Sequence, residues 1–338
     1  MNVSVYIMTH RKCPLPSDPI YHPMHVGRAT AGDLGYPGDD TGDNISDLNH
    51  LFGELTGIYW IWKNDSSSDI VGICHYRRYF MNDDHRILTE DEITSLLSDH
   101  DIITSPRPEG ADTSYNSYAS SHNIADYDSL GVAIHSLCPE YDSSFEWFKG
   151  QRSGCFGNLT IMPKNLFDSY CEWMFGILFE ASDHIDVSGY DLYHRRVYGF
   201  LSEILMNIWI HHNDINAYEC PVMFTAEKAE TTELKRVIAS LVKEHRIGEA
   251  RNTYYDITRI RPDVLLPESD ISGELLLIEQ ILYIMDKEDE EGITGLSRVS
   301  DDLFEILKFY KECRNNISGL SEDDRLSDIA REVILRFS

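Results

Sequence analysis

Apolar residues fall in two kinds of pattern along the first two thirds of the chain. Residues 2–8 (NVSVYIM), 69–74 (DIVGIC), 101–104 and 155–162 (CFGNLTIM) are short, β-branched and nearly unbroken, which predicts strands buried on both faces. Between them apolar residues recur at helical spacing. Leu48, Leu51, Phe52, Leu55, Ile58, Tyr59 and Trp62 predict a helix over 47–63 with Ser46 as its N-cap. Thr89 and Glu92 form a capping box for a short helix through Leu97. Leu166, Tyr170, Trp173, Met174, Ile177 and Leu178 mark another helix, and a further one runs over about 193–211. Residues 9–46 and 106–145 read as long polar loops. Strands alternating with helices predict an α/β sheet with parallel members.

Beyond residue 225 helical periodicity takes over, at 232–246, 273–286, 301–313 and 322–337, with turn signals at Gly248, Pro262, Pro267 and Gly295. The expected organisation is an α/β domain over 1–224 and a helical C-terminal region over 225–338. No apolar run reaches the 18 or so residues of a membrane span, and the N-terminus lacks the basic and apolar regions of a signal peptide.

Charge narrows the choice of ligand. The 338 residues hold 29 Lys and Arg against 57 Asp and Glu, a formal net charge of −28. A chain this acidic does not hold nucleic acid or an anionic bilayer through bulk electrostatics, and a phosphate-bearing ligand needs a local basic cluster. Bases are scarcest in 1–224, with 13 against 32 acids. Seven cysteines with no C-x-x-C pair argue against a disulfide framework or a structural zinc site and fit a reducing cytoplasm.

The sharpest local feature is His75-Tyr76-Arg77-Arg78-Tyr79, at the carboxyl end of a buried strand, where open α/β sheets bind ligands. Two guanidinium forks and an imidazole there suit a diphosphate; the plain alternative is an arginine pair bridging surface carboxylates. Asp39, Asp40 and Asp43, with Asn44, could hold a hard cation, bind sugar hydroxyls, or simply form a solvated turn with a capping role. Glu203 falls in an otherwise apolar helix seven residues after Arg196, as either an arginine's partner or a base of raised pKa. Loop histidines His10, His22 and His25 lack carboxylates at ligand spacing, so no metal site is expected there. Walker A, G-x-G-x-x-G, G-x-S-x-G and H-E-x-x-H motifs are absent.

Five strings in order, DDTGDNIS (39–46), ELTGIYWIWKN (54–64), GICHYRRYF (72–80), GNLTIMPKNLFDSYCEWMFGIL (157–178) and RVYGFLSEILMNIW (196–209), resemble a bacterial family long catalogued as a domain of unknown function. Its members occur in capsule, exopolysaccharide and O-antigen gene clusters and are linked to glycosyl transfer, including galactofuranosyl transfer. The resemblance covers about 1–224. It implies a GT-A-like fold and a UDP-sugar donor, with a glycan or lipid-linked glycan acceptor at the cytoplasmic membrane face. It also implies that His75, Arg77 and Arg78 stand where such folds carry a metal-binding D-x-D, although the acidic loop keeps Mn²⁺ or Mg²⁺ open. The expected nucleotide-sugar set is His75, Tyr76, Arg77, Arg78, Asp39, Asp40, Asp43, Asn44, Asn158 and Arg196. The base is expected among Glu203, Asp126, Asp128 and Asp191. Ile204 stands where an arginine is usual and Leu159-Thr160 where Met-Phe is typical. The implied activity is an inverting hexosyltransfer. Its rivals are a non-catalytic glycan-binding or scaffold subunit and a nucleotidyltransferase. The C-terminal helices are expected to stabilise the first domain, to form a homodimer interface or to dock partners.

Overall fold

The computed structural model describes residues 1–317, 320 and 323–337. The chain forms two compact units, Met1–Met223 and Phe224–Ser338.

The first unit is built on a mixed sheet. Its strands are β1 (Val3–Thr9), β2 (Tyr21–His25), β3 (Ile70–His75), β4 (Arg78–Phe80), β5 (Ile102–Thr104), β6 (Thr160–Pro163), β7 (Ala217–Glu219) and β8 (Val222–Phe224). The main order is β2-β1-β3-β6-β5-β7, with β4 paired to β3 and to β8. β1 runs parallel to β2 and β3, β6 is antiparallel to β3 and β5, and β7 is parallel to β5. The carboxyl ends of β1, β2, β3, β5 and β7 therefore share one edge with the amino end of β6.

Alternation along β1 and β3 divides the core. Met8, Val71 and Ile73 join the larger cluster on one face, while Val3, Val5, Ile7, Ile70 and Cys74 join the smaller one on the other. Helices cover the larger face: α2 (Leu55–Asn64), α5 (Ile124–Leu137), α6 (Asp142–Lys149), α7 (Lys164–Ser182) and α8 (Val197–His212) supply Leu55, Ile58, Leu130, Phe145, Phe175 and Leu201 to it. α3 (Glu90–Asp99) buries Ile93 against the other face, and its capping box forms as the Thr89/Glu92 pair predicts. At Gly72 an added Cβ would come within 2.9 Å of Val5, so the close packing of β1 on β3 requires glycine.

Several sequence expectations are corrected. The helix expected over 47–63 is broken: α1 (Asn49–Phe52) ends at Gly53, whose φ of 55° lies in the left-handed region, and α2 starts afresh. Ser46 is not an N-cap; its hydroxyl donates to Asp39 and accepts from the Ala29 N–H. The supposed loop 106–145 contains α4 (Ser114–Ser121), α5 and the first half of α6, and β2 lies inside the supposed loop 9–46. Only the second half of the 155–162 run is strand, because Gly157 and Asn158 both take positive φ.

The second unit is helical, with α9 (Ala229–Lys243), α10 (Ile247–Ile260), α11 (Glu274–Glu291), α12 (Leu303–Asn315) and α13 (Asp328–Phe337) around Ile238, Ile278, Ile281, Tyr310 and Ile334. Gly248 sits inside α10 rather than in a turn. Position 322, the expected start of the last helix, lies outside the described residues. Lys235, 4 % exposed, is compensated by Asp270 at 2.7 Å, Glu227 at 2.6 Å and Glu274 at 3.2 Å. No helix among the described residues is long and apolar enough to cross a membrane.

Candidate active site

β3 runs into β4 through a two-residue turn, Tyr76-Arg77, with His75 paired to Arg78. The backbone N–H of Tyr76 donates to the Met8 carbonyl, so the turn is tied to the end of β1. Arg77 is buried, at 4 % exposure. Tyr76 packs edge-on against His10 at 5.3 Å, with the Arg11 guanidinium 5.7 Å from its ring.

Three further segments converge on this turn. Glu54 stands at the Gly53 break between α1 and α2; its Oε1 accepts from Asn158 Nδ2 at 2.9 Å and its Oε2 faces Arg196 Nη2 at 3.4 Å. The segment leading into β6 is pinned to α8 by Asn207, whose amide bridges the Cys155 N–H and carbonyl at 2.9 Å each. This places Asn158 against α8, where it accepts from Ser202 Oγ at 2.9 Å. It also lets the Gly157 N–H donate to the Glu203 carboxylate. An added Cβ at Gly157 would lie 2.9 Å from Arg78 Nη1 and 3.3 Å would separate one at Gly53 from Arg196 Nη2, so both glycines let arginine heads approach the backbone.

The electrostatics follow from this packing. Burial, reinforced by Glu54, pushes the Glu203 carboxyl up to about 7, against the opposing pull of Arg78, the Gly157 N–H and Arg196. Burial would also raise Glu54, but His75, Arg196 and the Asn158 amide together hold it below the usual carboxylate range. Burial first, then Arg78, Arg77 and Arg196, depress His75 to about 4 in spite of Glu54. His75 is thus neutral at pH 7, and Arg196 and Asn158 keep Glu54 ionised. Along the same sheet edge His75 Nε2, both ring nitrogens of His25 and Thr104 Oγ1 are buried without a hydrogen-bond partner among the described residues. Buried polar atoms are nearly always paired, so orphans gathered at one edge point to a ligand.

The other sequence-derived residues lie elsewhere. Asp39 is fully buried and braces a turn, accepting from the Gly27 and Arg28 N–H groups and from Ser46. Asp40 pairs with Arg28 at 3.4 Å, Asp43 accepts from Tyr59, and Asn44 bonds Gly42 and Ser46. Among the described residues no group of three or more His, Cys, Asp or Glu is arranged to hold a metal ion. Asp126 and Asp191 line a cavity beside α4 and α5, where Asp126 accepts from Tyr190 and Asp191 from His194. Asp128 accepts from Tyr115 and lies outside that lining.

Glu54 and Ser202 are the members of the cluster that the sequence pattern does not single out. Glu54 carries one signal, since with Leu51, Leu55 and Ile58 it falls on the apolar stripe of its segment, as Glu203 does in α8.

Residues 4–214 match the family model described as "Domain of unknown function (DUF4422)". The chain belongs to this family. No curated protein matches it. Among solved structures the DUF4422 chain is similar to the WbbM bifunctional glycosyltransferase in its apo form, with 30 % identity and a TM-score of 0.63 over 67 % of this chain. The match takes in 46 % of that protein, so this chain spans less than half of its relative. The mixed sheet with helices on its faces is thereby a GT-A-like α/β fold, of the glycosyltransferase kind.

Proposed function

We propose that this DUF4422 protein is a glycosyltransferase that moves a hexose, galactofuranose or galactose, from a UDP-sugar to a growing cell-surface glycan with inversion at the anomeric carbon. The observation that carries the reading is the convergence of Arg77, Arg78 and Arg196 with Glu203 at the carboxyl edge of the sheet, in a chain otherwise poor in bases. The likeness to WbbM supports the reaction class.

In this reading Arg77 and Arg78 bind the diphosphate and stabilise the charge that grows on the departing UDP. Nε2 of the neutral His75 contributes a hydrogen bond. Glu203, half ionised near pH 7 and fully so above it, takes the proton from the acceptor hydroxyl as that oxygen attacks the anomeric carbon from the face opposite UDP. Burial, reinforced by Glu54, keeps the Glu203 pKa near the working pH, while Asn158 and Arg196 fix Glu54. A pKa near the working pH is what general-base catalysis favours.

The test is a thermal-shift screen with UDP, GDP, CDP and their sugars, followed by turnover with the sugar that stabilises the protein most and by NMR of the product's anomeric configuration. A selective rise with UDP-sugars and an inverted product are expected. UDP binding without turnover would replace the transferase with a scaffold role, pyrophosphate release would indicate a nucleotidyltransferase, and no response to any nucleotide would refute the reading.

A further inference from the structure

We propose that the cavity between α4, the start of α5 and the 189–194 segment is a subsite for a neutral, hydroxyl-rich sugar residue of the acceptor. This assignment rests on the transferase reading above. The cavity holds about 310 Å³, at the lower end of the roughly 300–1,000 Å³ typical of small-ligand sites.

Its polar groups are set, not merely exposed. Asp126 is 3 % exposed, and its Oδ1 is fixed at 2.8 Å by the Tyr190 hydroxyl. That hydroxyl in turn accepts from Asn123 Nδ2 at 2.5 Å. Tyr118 also lines the cavity, is 8 % exposed, and its buried hydroxyl has no hydrogen-bond partner among the described residues. A buried phenol without a partner is costly, and a ligand hydroxyl reaching it would relieve that cost.

The lining also selects the ligand's charge. It contains no lysine or arginine but carries Asp126 and Asp191, the latter 2.8 Å from His194 Nδ1. Phosphate or carboxylate would be repelled, whereas sugar hydroxyls can donate to carboxylates and accept from phenols and amides. An aromatic wall completes the site: the His122 ring lies 4.8 Å from Tyr118 and 4.3 Å from Phe200. Apolar C–H faces of a sugar pack well on such rings.

Position ties the cavity to the chemistry. The short helical turn His194–Arg196 presents His194 to the cavity and, two residues on, Arg196 to Glu54. Phe200, which backs His122, stands one turn before Glu203 on α8. A glycan whose sugar occupied the cavity would thus lead toward the proposed base.

The probes are methyl β-galactopyranoside, methyl α-glucopyranoside, methyl α-mannopyranoside and galactose 1-phosphate, observed by saturation-transfer NMR on the full chain. Gly189 lines the cavity and an added Cβ there would meet nothing within 4 Å, so Gly189→Trp brings an indole to the cavity wall from a position where a Cβ itself is tolerated. Tyr118→Phe removes only the unpartnered hydroxyl. At least one methyl glycoside is expected to bind, Gly189→Trp to abolish that signal, and Tyr118→Phe to weaken binding at least about fivefold with an unchanged or higher melting temperature. UDP affinity in both variants should stay within about twofold of the wild type. The subsite is overturned if no methyl glycoside binds, if the signal survives Gly189→Trp, or if galactose 1-phosphate binds more tightly than the neutral glycosides. Normal UDP binding with no glycoside binding sinks the subsite alone. Glycoside binding without any UDP binding overturns the transferase reading, and the acceptor assignment with it.

Discussion

Replacing Glu203 by glutamine separates a base from a structural ion-pair partner. Glutamine keeps the size and the acceptor for the Gly157 N–H but cannot ionise. In the folded protein the Glu203 pKa stands at about 7 against an ordinary 4.5. The folded state therefore holds this proton more tightly than the unfolded one, and stability falls as pH rises between those two values. The penalty is absent below about pH 4.5 and complete above about pH 7. At about 1.4 kcal/mol per pKa unit it amounts to about 3 kcal/mol. Glu203→Gln should thus match the wild type near pH 4.5 and exceed it by up to about 3 kcal/mol at pH 8, which is roughly 6–12 °C in melting temperature for a unit of this size. Turnover should meanwhile fall at least about 100-fold, with UDP affinity retained. In the wild type log kcat should climb with unit slope below about pH 7 and level off above it. Circular dichroism melts at pH 4.5 and 8, UDP calorimetry and a UDP-release assay on one preparation measure all of this. A variant less stable than the wild type at pH 8 would make Glu203 a structural partner of an arginine. Near-normal turnover would move the base to Asp126, Asp128 or Asp191.

Four other perturbations probe the same cluster. Glu54→Gln removes the negative neighbour that raises Glu203, so the acid limb of the pH–rate profile should move to lower pH; an unmoved limb would show that burial alone sets that pKa. Arg78→Ala should weaken UDP binding by about 1.5–3 kcal/mol, the range for hydrogen bonds to charged groups, and wild-type affinity by calorimetry would remove Arg78 from the diphosphate site. Arg77→Ala is expected to do the same, read on the fraction that stays folded because Arg77 is buried. Activity should survive exhaustive EDTA treatment if arginines carry the neutralisation; loss restored by Mn²⁺ or Mg²⁺ would show a required cation.

Strands and helices were legible wherever one period dominated. β1 and β3 are nearly unbroken apolar runs, and α7 repeats its apolar positions over several turns. Legibility failed where a single residue overrides the period. Gly53 breaks a continuous apolar stripe because only a left-handed backbone lets α1 turn into α2 and Arg196 come close. Gly157 and Asn158 cut short an apparent strand for a comparable reason. α4 and α5 were hidden by serine, tyrosine and aspartate, which score as loop although Thr113 and Asn123 cap them through side-chain hydrogen bonds. Of the cluster, the His75–Arg78 turn was visible because its strand was. Glu54 was not, since its partners Asn158 and Arg196 are more than a hundred residues away in the chain and only the folded sheet brings them together.

The arginines at the sheet edge sit in a chain of formal charge −28, with 13 bases against 32 acids in residues 1–224. If the donor is the anionic nucleotide-sugar proposed above, on arriving from bulk solvent it would meet a repulsive far field and feel attraction only within roughly one Debye length, about 8 Å in physiological salt. Moderate salt screens the far field before it reaches the close contacts. Capture of the donor should then quicken as ionic strength rises, the reverse of ordinary electrostatic steering, while its residence time shortens. On the proposed reading the same outward push would act on free UDP after transfer, and the surface charge would serve as an expulsion field for the spent nucleotide.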